Sequence, residues 1–378
     1  MSRLFVDKIR DYDGYSDHNE YTYDFLDRSS KKEFGEVRDL LNDWFSIFPE
    51  SEKAEIKSRI RKDFDSTFYE LFLYQLFHRL GFDILVHPKV PKSKKRPDFL
   101  VTKNDLELYV EAKVITGKSK AEESFERKRN EFYDALNKLN FDRFLISLET
   151  LIFKTDKQPN SKKFIKNIQT KIEKLNPDKI SESINSGEIS TLPKIEYEDE
   201  YIEAKVGIIP LIKEASSEKH KSPIGMYPME SFWGNGDNLL KKAINDKGKY
   251  YGELDKPFIV CINTIDFKTV VKSDVDNAIW GSKALSWSTN PENKDKKWIR
   301  KLDGTFLNNK GPRLKNVSGI VFTRVIPFNI KNADFVLFKH PFSTNKFDFD
   351  KLNLEYEYVK EGQILKKEGQ NLSDIFNE

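Results

Sequence analysis

The fold is decided by the stretch RPDFLVTKNDLELYVEAKV, which occupies residues 96–114. Residues 99–101 and 106–115 are rich in Val, Leu, Ile and Tyr, which favour strands. Asn104 and Asp105 lie between these two runs and favour a turn. The pattern therefore predicts a β-hairpin.

Alternate side chains of a strand share a face, so Glu111 and Lys113 should project to one side of the second strand, in a row with Tyr109. Ala112 and its apolar neighbours should line the other side, which is predicted to be the buried face. Pairing with the first strand places Asp98 beside Glu111. Two carboxylates and one lysine are thus expected to meet at one edge of the hairpin.

This set of side chains suits the hydrolysis of phosphodiester bonds. Mg²⁺ takes one or two carboxylates in proteins and keeps several waters, so Asp98 and Glu111 would hold it, with the carbonyl of Ala112 as a further ligand. Mn²⁺ is expected to substitute for Mg²⁺. The ion would lower the pKa of a water and neutralise phosphate charge. Lys113 would orient that water and stabilise the developing negative charge.

The pattern resembles the PD-(D/E)xK nuclease superfamily. Its motif is matched by Pro97, Asp98, Glu111, Ala112 and Lys113, in the order helix, strand, PD-strand, turn, ExK-strand, helix. The resemblance covers residues 63–148. It implies an α/β, restriction-endonuclease-like core with a mixed central sheet flanked by helices. It also implies a metal-dependent nuclease for which DNA is a more probable substrate than RNA.

The superfamily often adds an acid on the helix before the hairpin, and Glu70 fits that place. Residues 63–80 are apolar around nearly the whole circumference of the predicted helix, which is typical of a buried helix. A buried carboxylate needs a partner or a metal. Glu70 is therefore predicted either to serve the active site or to form an ion pair with a lysine, and the sequence leaves both open.

A second copy of the motif needs separate treatment. YIEAKV at 201–206 nearly repeats YVEAKV at 109–114, and Pro177 and Asp178 precede it. No apolar strand follows Asp178, and no buried helix with an acid precedes it. The first copy is therefore predicted to be the active site, and the second a strand with a surface ion pair.

Net charge is only +3, so the distribution of basic residues says more than their number. Lys94, Lys95 and Arg96 come just before Asp98 in the chain, and Lys118 and Lys120 follow Lys113 closely. Each group alone is typical of a solvated surface. Together they bracket the acidic pair, which predicts that they bind nucleic-acid phosphates.

The length of 378 residues suggests one large or two modest domains. We predict an N-terminal arm and helices at 1–62, the nuclease core at 63–150, and a C-terminal region at 151–378. That last region is expected to extend the core sheet in part and to carry an insertion at 264–316. Within this scheme residues 1–32 are predicted to be an extended or loosely ordered arm and the last ~20 residues a polar tail.

After the motif, residues 121–139 are predicted to form a helix and residues 144–148 the next strand of the core. Residues 280–312 contain Trp280, Trp287 and Trp298 among many lysines. Such a segment can stack on bases, or it can be a packed insertion.

Neither a transmembrane run nor the apolar core of a signal peptide is present, and the single cysteine excludes an internal disulfide or a zinc–cysteine cluster. A cytoplasmic protein without a membrane partner is expected.

The sequence thus favours an endonuclease. The resemblance to the PD-(D/E)xK superfamily also suggests a role in restriction or phage defence. A homodimer, or a helicase or other defence partner, is compatible with it. The alternative is a non-catalytic nucleic-acid-binding or interaction protein on a degenerate core. The complete set of Asp98, Glu111 and Lys113 argues against that alternative.

Overall fold

The computed structural model describes residues 3–91, 93–139, 141, 143–185, 192–211, 223–228, 235–265, 270–289, 292 and 295–377. The chain is mixed α/β, with a large mixed sheet flanked by helices. Among the helices in these ranges, none is long and apolar enough to cross a membrane.

The chain divides into two compact units. The large unit comprises Met1–Tyr12, Tyr21–Gly117 and Phe232–Glu378, and the small unit comprises Asp13–Glu20 and Lys118–Ser231. This division differs from the predicted segments 1–62, 63–150 and 151–378. The large unit is built from residues that precede Lys118–Ser231 in the sequence and from residues that follow it.

The helices are α1 (Thr22–Arg28), α2 (Lys32–Ser46), α3 (Lys53–Arg59), α4 (Phe64–Arg79), α5 (Lys120–Asn137), α6 (Ser161–Ile172), α7 (Pro177–Asn185), α8 (Gly236–Gly248), α9 (Lys272–Trp280) and α10 (Leu372–Phe376), with short 3-10 turns at Ile330–Asn332 and Phe349–Leu352. The strands are β1 (Asp83–Val86), β2 (Phe99–Lys103), β3 (Leu106–Ile115), β4 (Phe144–Phe153), β5 (Lys194–Glu198), β6 (Ile202–Pro210), β7 (Ile224–Met226), β8 (Phe258–Thr264), β9 (Lys283–Trp287), β10 (Lys296–Arg300), β11 (Leu307–Asn308), β12 (Gly311–Pro312), β13 (Gly319–Thr323), β14 (Phe335–Lys339), β15 (Tyr356–Lys360) and β16 (Gln363–Lys367).

The predicted hairpin is confirmed as β2 and β3, which pair antiparallel with Phe99 opposite Val110. Asn104 in the turn has a φ of +54°, a left-handed conformation that Asn tolerates better than most residues. The hairpin belongs to an eight-stranded sheet in the order β1-β2-β3-β8-β13-β14-β15-β16, in which β8 runs parallel to both β3 and β13. The site-bearing strand is therefore an interior strand.

Both faces of this sheet are covered. Side chains of α2, α4 and α10 form one core with Val110, and side chains of α8 and α9 form another with Tyr109. The prediction that only the Ala112 side of β3 is buried was incomplete, since the helices that cover the other side come from sequence far downstream. Glu111 therefore lies in a packed interior and not on an exposed hairpin.

The predicted continuation of the core was wrong. Residues 144–148 lie in β4, which belongs to a separate four-stranded sheet of the small unit in the order β5-β6-β4-β7, and the helix predicted at 121–139 is α5 of the same unit. The strand beside β3 is β8, which is buried at every position, as central parallel strands are. An apolar run alone does not say which sheet a strand joins.

Residues 3–32, predicted to be an extended or loosely ordered arm, include a packed segment and helix α1, and the predicted polar tail instead carries β16 and α10. Leu4 and Phe5 are buried, and the hydroxyl of Tyr23 on α1 donates to the carbonyl of Leu4 at 2.8 Å. At the other end Leu372 and Phe376 of α10 are buried in the same core. A few large apolar side chains thus fix segments whose overall composition is polar.

The predicted insertion at 264–316 is likewise part of the large unit. Val270, Ile279 and Phe306 are buried against the α8–α9 side of the sheet. These parts of the segment therefore complete the core, whereas β9 and β10 form a separate two-stranded sheet.

His340, which follows β14, provides a test of this packing. It is buried, its Nδ1 accepts from the N–H of Phe342 at 2.9 Å, and its Nε2 lies 2.7 Å from the carbonyl of Arg313, so the ring is neutral with the proton on Nε2. Burial lowers the pKa of His340 to about 4. The unfolded chain takes up this proton near pH 6.5 and the folded chain does not, so stability should fall as pH drops from 6.5 towards 4.

We expect this residue to contribute a loss of about 2 kcal/mol between pH 7 and pH 5. Urea unfolding of the wild type and of His340→Gln at both pH values measures it, because the difference between the two proteins cancels the other titrating groups. An identical pH dependence in both would contradict the assignment.

Candidate active site

The two candidate carboxylates lie opposite each other, Asp98 just before β2 and Glu111 within β3. Because Phe99 pairs with Val110, the register places Asp98 next to Glu111. The backbone N–H of Ala112 donates to Oδ2 of Asp98 at 2.6 Å, which fixes that carboxyl against β3. The structure thus brings together the Asp and Glu that were predicted to meet.

Glu111 is 2% exposed, and both of its carboxylate oxygens are hydrogen-bonded by residues at or just beyond the end of α8. Lys247 Nζ donates to Oε1, and the Tyr251 hydroxyl donates to Oε2. The Tyr251 hydroxyl also lies 3.0 Å from the carbonyl oxygen of Arg96. Glu111 is therefore held in one orientation by a cation and a phenol.

Lys247 and Tyr251 were not predicted. Lys247 is in the last turn of α8 and Tyr251 follows the helix end, and they are 136 and 140 residues from Glu111 in the chain. Burial alone would lower the pKa of Lys247, yet the neighbouring Glu111 raises it, so the ammonium stays charged. Burial and Glu111 raise the pKa of Tyr251, which keeps its proton.

The Asp98 carboxyl is partly buried and lies near two other carboxyl groups. Burial, Glu111 and Glu70, in that order, raise the pKa of Asp98 to about 8, against the opposing effects of the Ala112 N–H and Lys247. The carboxyl groups of this site therefore outweigh the positive charge near them. A cation between Asp98 and Glu111 would relieve this imbalance.

Lys113 lies two residues after Glu111 on β3, on the same face of the strand, and is exposed. Its side chain makes no hydrogen bond or ion pair with a residue that the structure describes. Its ammonium is therefore available to a ligand at the edge where Asp98 and Glu111 meet.

Glu70 on α4 is 8% exposed and pairs with Arg59 of α3. Arg59 Nη1 donates to Oε2 of Glu70 at 2.9 Å, and Nη2 donates to Oε1. Burial raises the pKa of Glu70, while Arg59 opposes that rise. The expected ion-pair partner is thus an arginine and not a lysine. The same carboxylate is near enough to Asp98 to raise its pKa.

A second group of possible metal ligands lies close by in the chain. Among the described residues, Glu52, Glu55 and His87 bring one ligand atom each within 4.8 Å of one another. The N–H of His87 donates to the carbonyl of Asp98 at 2.9 Å, so this group neighbours the Asp98 site. An imidazole ligand suits transition metals more than Mg²⁺.

The predicted phosphate-binding residues fall into two groups. Lys94, Lys95 and Arg96 are exposed and belong to the large unit, and Lys95 Nζ lies 3.5 Å above the ring of Tyr250, next to Tyr251 in the chain. Lys118 pairs with Glu126 at 2.6 Å within the small unit. Lys120 begins α5, and its side chain lies outside the described part of the structure.

The second EAK copy is a strand with a surface ion pair, as predicted. Lys205 on β6 lies 3.2 Å from Glu196, and Glu203 is exposed. Asp178, which precedes this copy, is on α7 and pairs with Arg143 at 2.8 Å. The arrangement around Asp98 and Glu111 is not repeated there.

Comparison of the chain with protein-family models, curated proteins and solved structures found no match.

Proposed function

We propose that this protein is a metal-dependent nuclease that hydrolyses phosphodiester bonds, with DNA favoured over RNA. The observation that carries the proposal is the juxtaposition of Asp98 and Glu111 on paired strands, with Lys113 on the same face. Two carboxylates beside an uncommitted lysine ammonium suit phosphate chemistry.

The order of elements supports a restriction-endonuclease-like core of the PD-(D/E)xK type. The elements α4, β1, β2 and β3 follow the order that the resemblance implies. The helix that packs on β3 next is α8 and not the predicted helix at 121–139, and β8 then pairs parallel with β3. In the sequence, the stretch Lys118–Ser231 of the small unit lies between β3 and α8. Chain closure costs grow slowly with loop length, so an insertion at this point is tolerated.

The residues present fit a hard divalent cation. Asp98 and Glu111 would hold it through oxygen, with the carbonyl of Ala112 as a third ligand. Lys247 and Tyr251 do not prevent this, because each carboxylate oxygen has two lone pairs and can accept a hydrogen bond while it binds a cation. When bound, the ion supplies a water of lowered pKa and neutralises phosphate charge. The proposed ion is Mg²⁺, for which Mn²⁺ would substitute.

The protein's own residues then have separate tasks. Lys247 and Tyr251 fix the orientation of Glu111, which keeps its carboxylate aimed at the position beside Asp98. Lys113 carries a positive charge that stabilises negative charge on the phosphate as the bond breaks. Lys94, Lys95 and Arg96 lie on the loop that leads into β2, where exposed cations can meet the nucleic-acid backbone.

Incubation of the purified protein with plasmid DNA and with RNA tests the proposal. Cleavage is expected with Mg²⁺ or Mn²⁺ and should stop in EDTA. Absence of cleavage of either nucleic acid with both metals would overturn it. Linearised or nicked plasmid indicates an endonuclease, whereas an intact circular plasmid together with shortening of a linear substrate from its ends indicates an exonuclease.

The position of the metal can be tested by thermal unfolding. Mg²⁺ should raise the melting temperature of the wild type, since binding to the folded state alone stabilises it. Asp98→Ala should remove most of that rise. Glu55→Gln is the matched control, because it removes a ligand of the neighbouring Glu52–Glu55–His87 group. Loss of the rise in Glu55→Gln and not in Asp98→Ala would place the ion in that group instead.

One observation favours a second candidate, a non-catalytic nucleic-acid-binding protein on the same core. Both oxygens of Glu111 are already engaged by Lys247 and Tyr251, as they would be if the carboxylate had only a structural task. Such a protein would bind nucleic acid equally in Mg²⁺ and EDTA and would not cleave it. A homodimer or a helicase or other defence partner stays a prediction under either function.

A further inference from the structure

The strands β9 and β10 form a two-stranded ribbon outside the main sheet, and one of its faces is unusual. Directly paired residues of antiparallel strands share a face. The register pairs Trp287 with Lys296, Leu285 with Trp298, and Lys283 with Arg300, so these six residues lie on one face, here called the tryptophan face.

The two tryptophans of this face are largely open to solvent. Trp287 is 63% exposed and Trp298 is 72% exposed. Trp280, the third tryptophan of this segment, is packed against the core, and its indole N–H donates to Glu357 at 3.1 Å. Two exposed indole rings on one ribbon face are an interaction surface, because large apolar side chains are rarely left together in water.

Trp298 also borders a cavity of about 630 Å³. Phe322, Phe335 and Val336 of the main sheet supply apolar surface to it, and Asp276 and Glu357 supply carboxylates. This volume is in the range of small-ligand sites, roughly 300–1,000 Å³. Asp276 already pairs with Lys283 and Arg300, and Glu357 already accepts from Trp280, so the apolar floor and the aromatic wall are what suit a flat ring such as a nucleobase.

Exposed lysines of the ribbon could bind the phosphates of a nucleic-acid strand outside this cavity. Asp276 pairs with both Arg300 and Lys283, which neutralises part of the charge at the base of the ribbon. Lys296 and Lys297 are exposed, and neither forms an ion pair with any residue in the described ranges. Lys296 is on the tryptophan face and Lys297 is on the opposite face.

We propose that the tryptophan face binds single-stranded nucleic acid, with an unpaired base stacked on Trp298 at the cavity and the neighbouring phosphates on Lys296. The proposal rests on the proposed function in that nucleic acid is the ligand, and it adds a site for unpaired bases to the active site around Asp98 and Glu111. A duplex keeps the π-faces of its bases stacked inside, so only unpaired bases can use an indole platform.

Binding in EDTA tests this without any requirement for cleavage. The probe is a fluorescent single strand of about 12 nucleotides, within the usual range of such sites. It is compared with an abasic strand of equal length and charge and with the corresponding duplex. The wild type should bind the base-bearing strand tightest. Trp298→Ala should weaken that binding by about 5- to 100-fold, as one lost base stack does, and should leave the abasic strand unaffected.

Two lysines give the matched control. Lys296→Ala should weaken binding and reduce the dependence of log affinity on log salt by about one unit, whereas Lys297→Ala should change neither. Trp298→Phe should recover part of the affinity, and near-wild-type melting temperatures would show that the variants fold.

Equal binding of base-bearing and abasic strands, or an unchanged affinity in Trp298→Ala, would overturn the proposal and leave the tryptophan face to a protein partner. Because no cleavage is measured, failure of the nuclease proposal alone would leave single-strand binding intact. Failure of the tryptophan face alone would leave metal-dependent cleavage intact.

Discussion

Lys113→Ala is expected to slow nucleic-acid cleavage by about 10³-fold, the loss associated with one preorganised group that stabilises transition-state charge. The ammonium of Lys113 has no partner among the described residues, and the side chain shares a face of β3 with Glu111, so the folded state does not depend on its charge. Binding of metal and of nucleic acid should therefore persist. Single-turnover cleavage together with the melting temperature separates the two effects.

The second EAK copy supplies the control for this prediction. Lys205→Ala removes the same side chain from the same local sequence, but Lys205 only pairs with Glu196 on a surface strand. Its activity should stay within a few-fold of the wild type, because exposed ion pairs contribute about 0–1 kcal/mol. If Lys205→Ala abolished cleavage and Lys113→Ala did not, the active site would be at the second copy.

Arg59→Met is expected to cost about 3–5 kcal/mol of folding free energy, since it leaves the buried carboxylate of Glu70 without its counter-ion. Glu70→Gln should cost less. The Arg59 side chain is 31% exposed against 10% for Glu70, so a released guanidinium can turn to water. It also has a second acid nearby, because Arg59 lies 3.7 Å from Glu55. Urea unfolding of both variants at one pH measures the difference.

Cleavage by the same preparations determines whether Glu70 has a second task. If its carboxylate also serves the site next to Asp98, Glu70→Gln should lower the rate by about 10²-fold while the protein remains folded. If the ion pair is its whole role, activity per folded molecule should change little. Equal losses of stability in Arg59→Met and Glu70→Gln would contradict this prediction. They would show that an unpaired Glu70 carboxylate costs no more than an unpaired Arg59 guanidinium.

The prediction of β2, β3 and α4 succeeded because the signals are local. Alternating apolar residues, an Asn-Asp turn and an apolar helix closed by Gly81 act over a few residues, and these same elements carry Asp98, Glu111 and Glu70. Once the hairpin forms, its register puts the two carboxylates together. The candidate trio was therefore accessible from the residues alone.

The partners of these three carboxylates were decided by tertiary structure. Lys247 and Tyr251 reach Glu111 across more than a hundred residues, and Arg59 reaches Glu70 from a different helix. The apolar run at 144–148 was assigned to the wrong sheet for a related reason. The partner of a short apolar strand depends on which other strands the chain places beside it. The strand at 144–148 pairs with β6, whereas β3 pairs with β8, which follows the small unit in the sequence. Local pattern specifies a strand and the face of each side chain, whereas long-range packing selects its neighbours and thereby the electrostatic environment of the site.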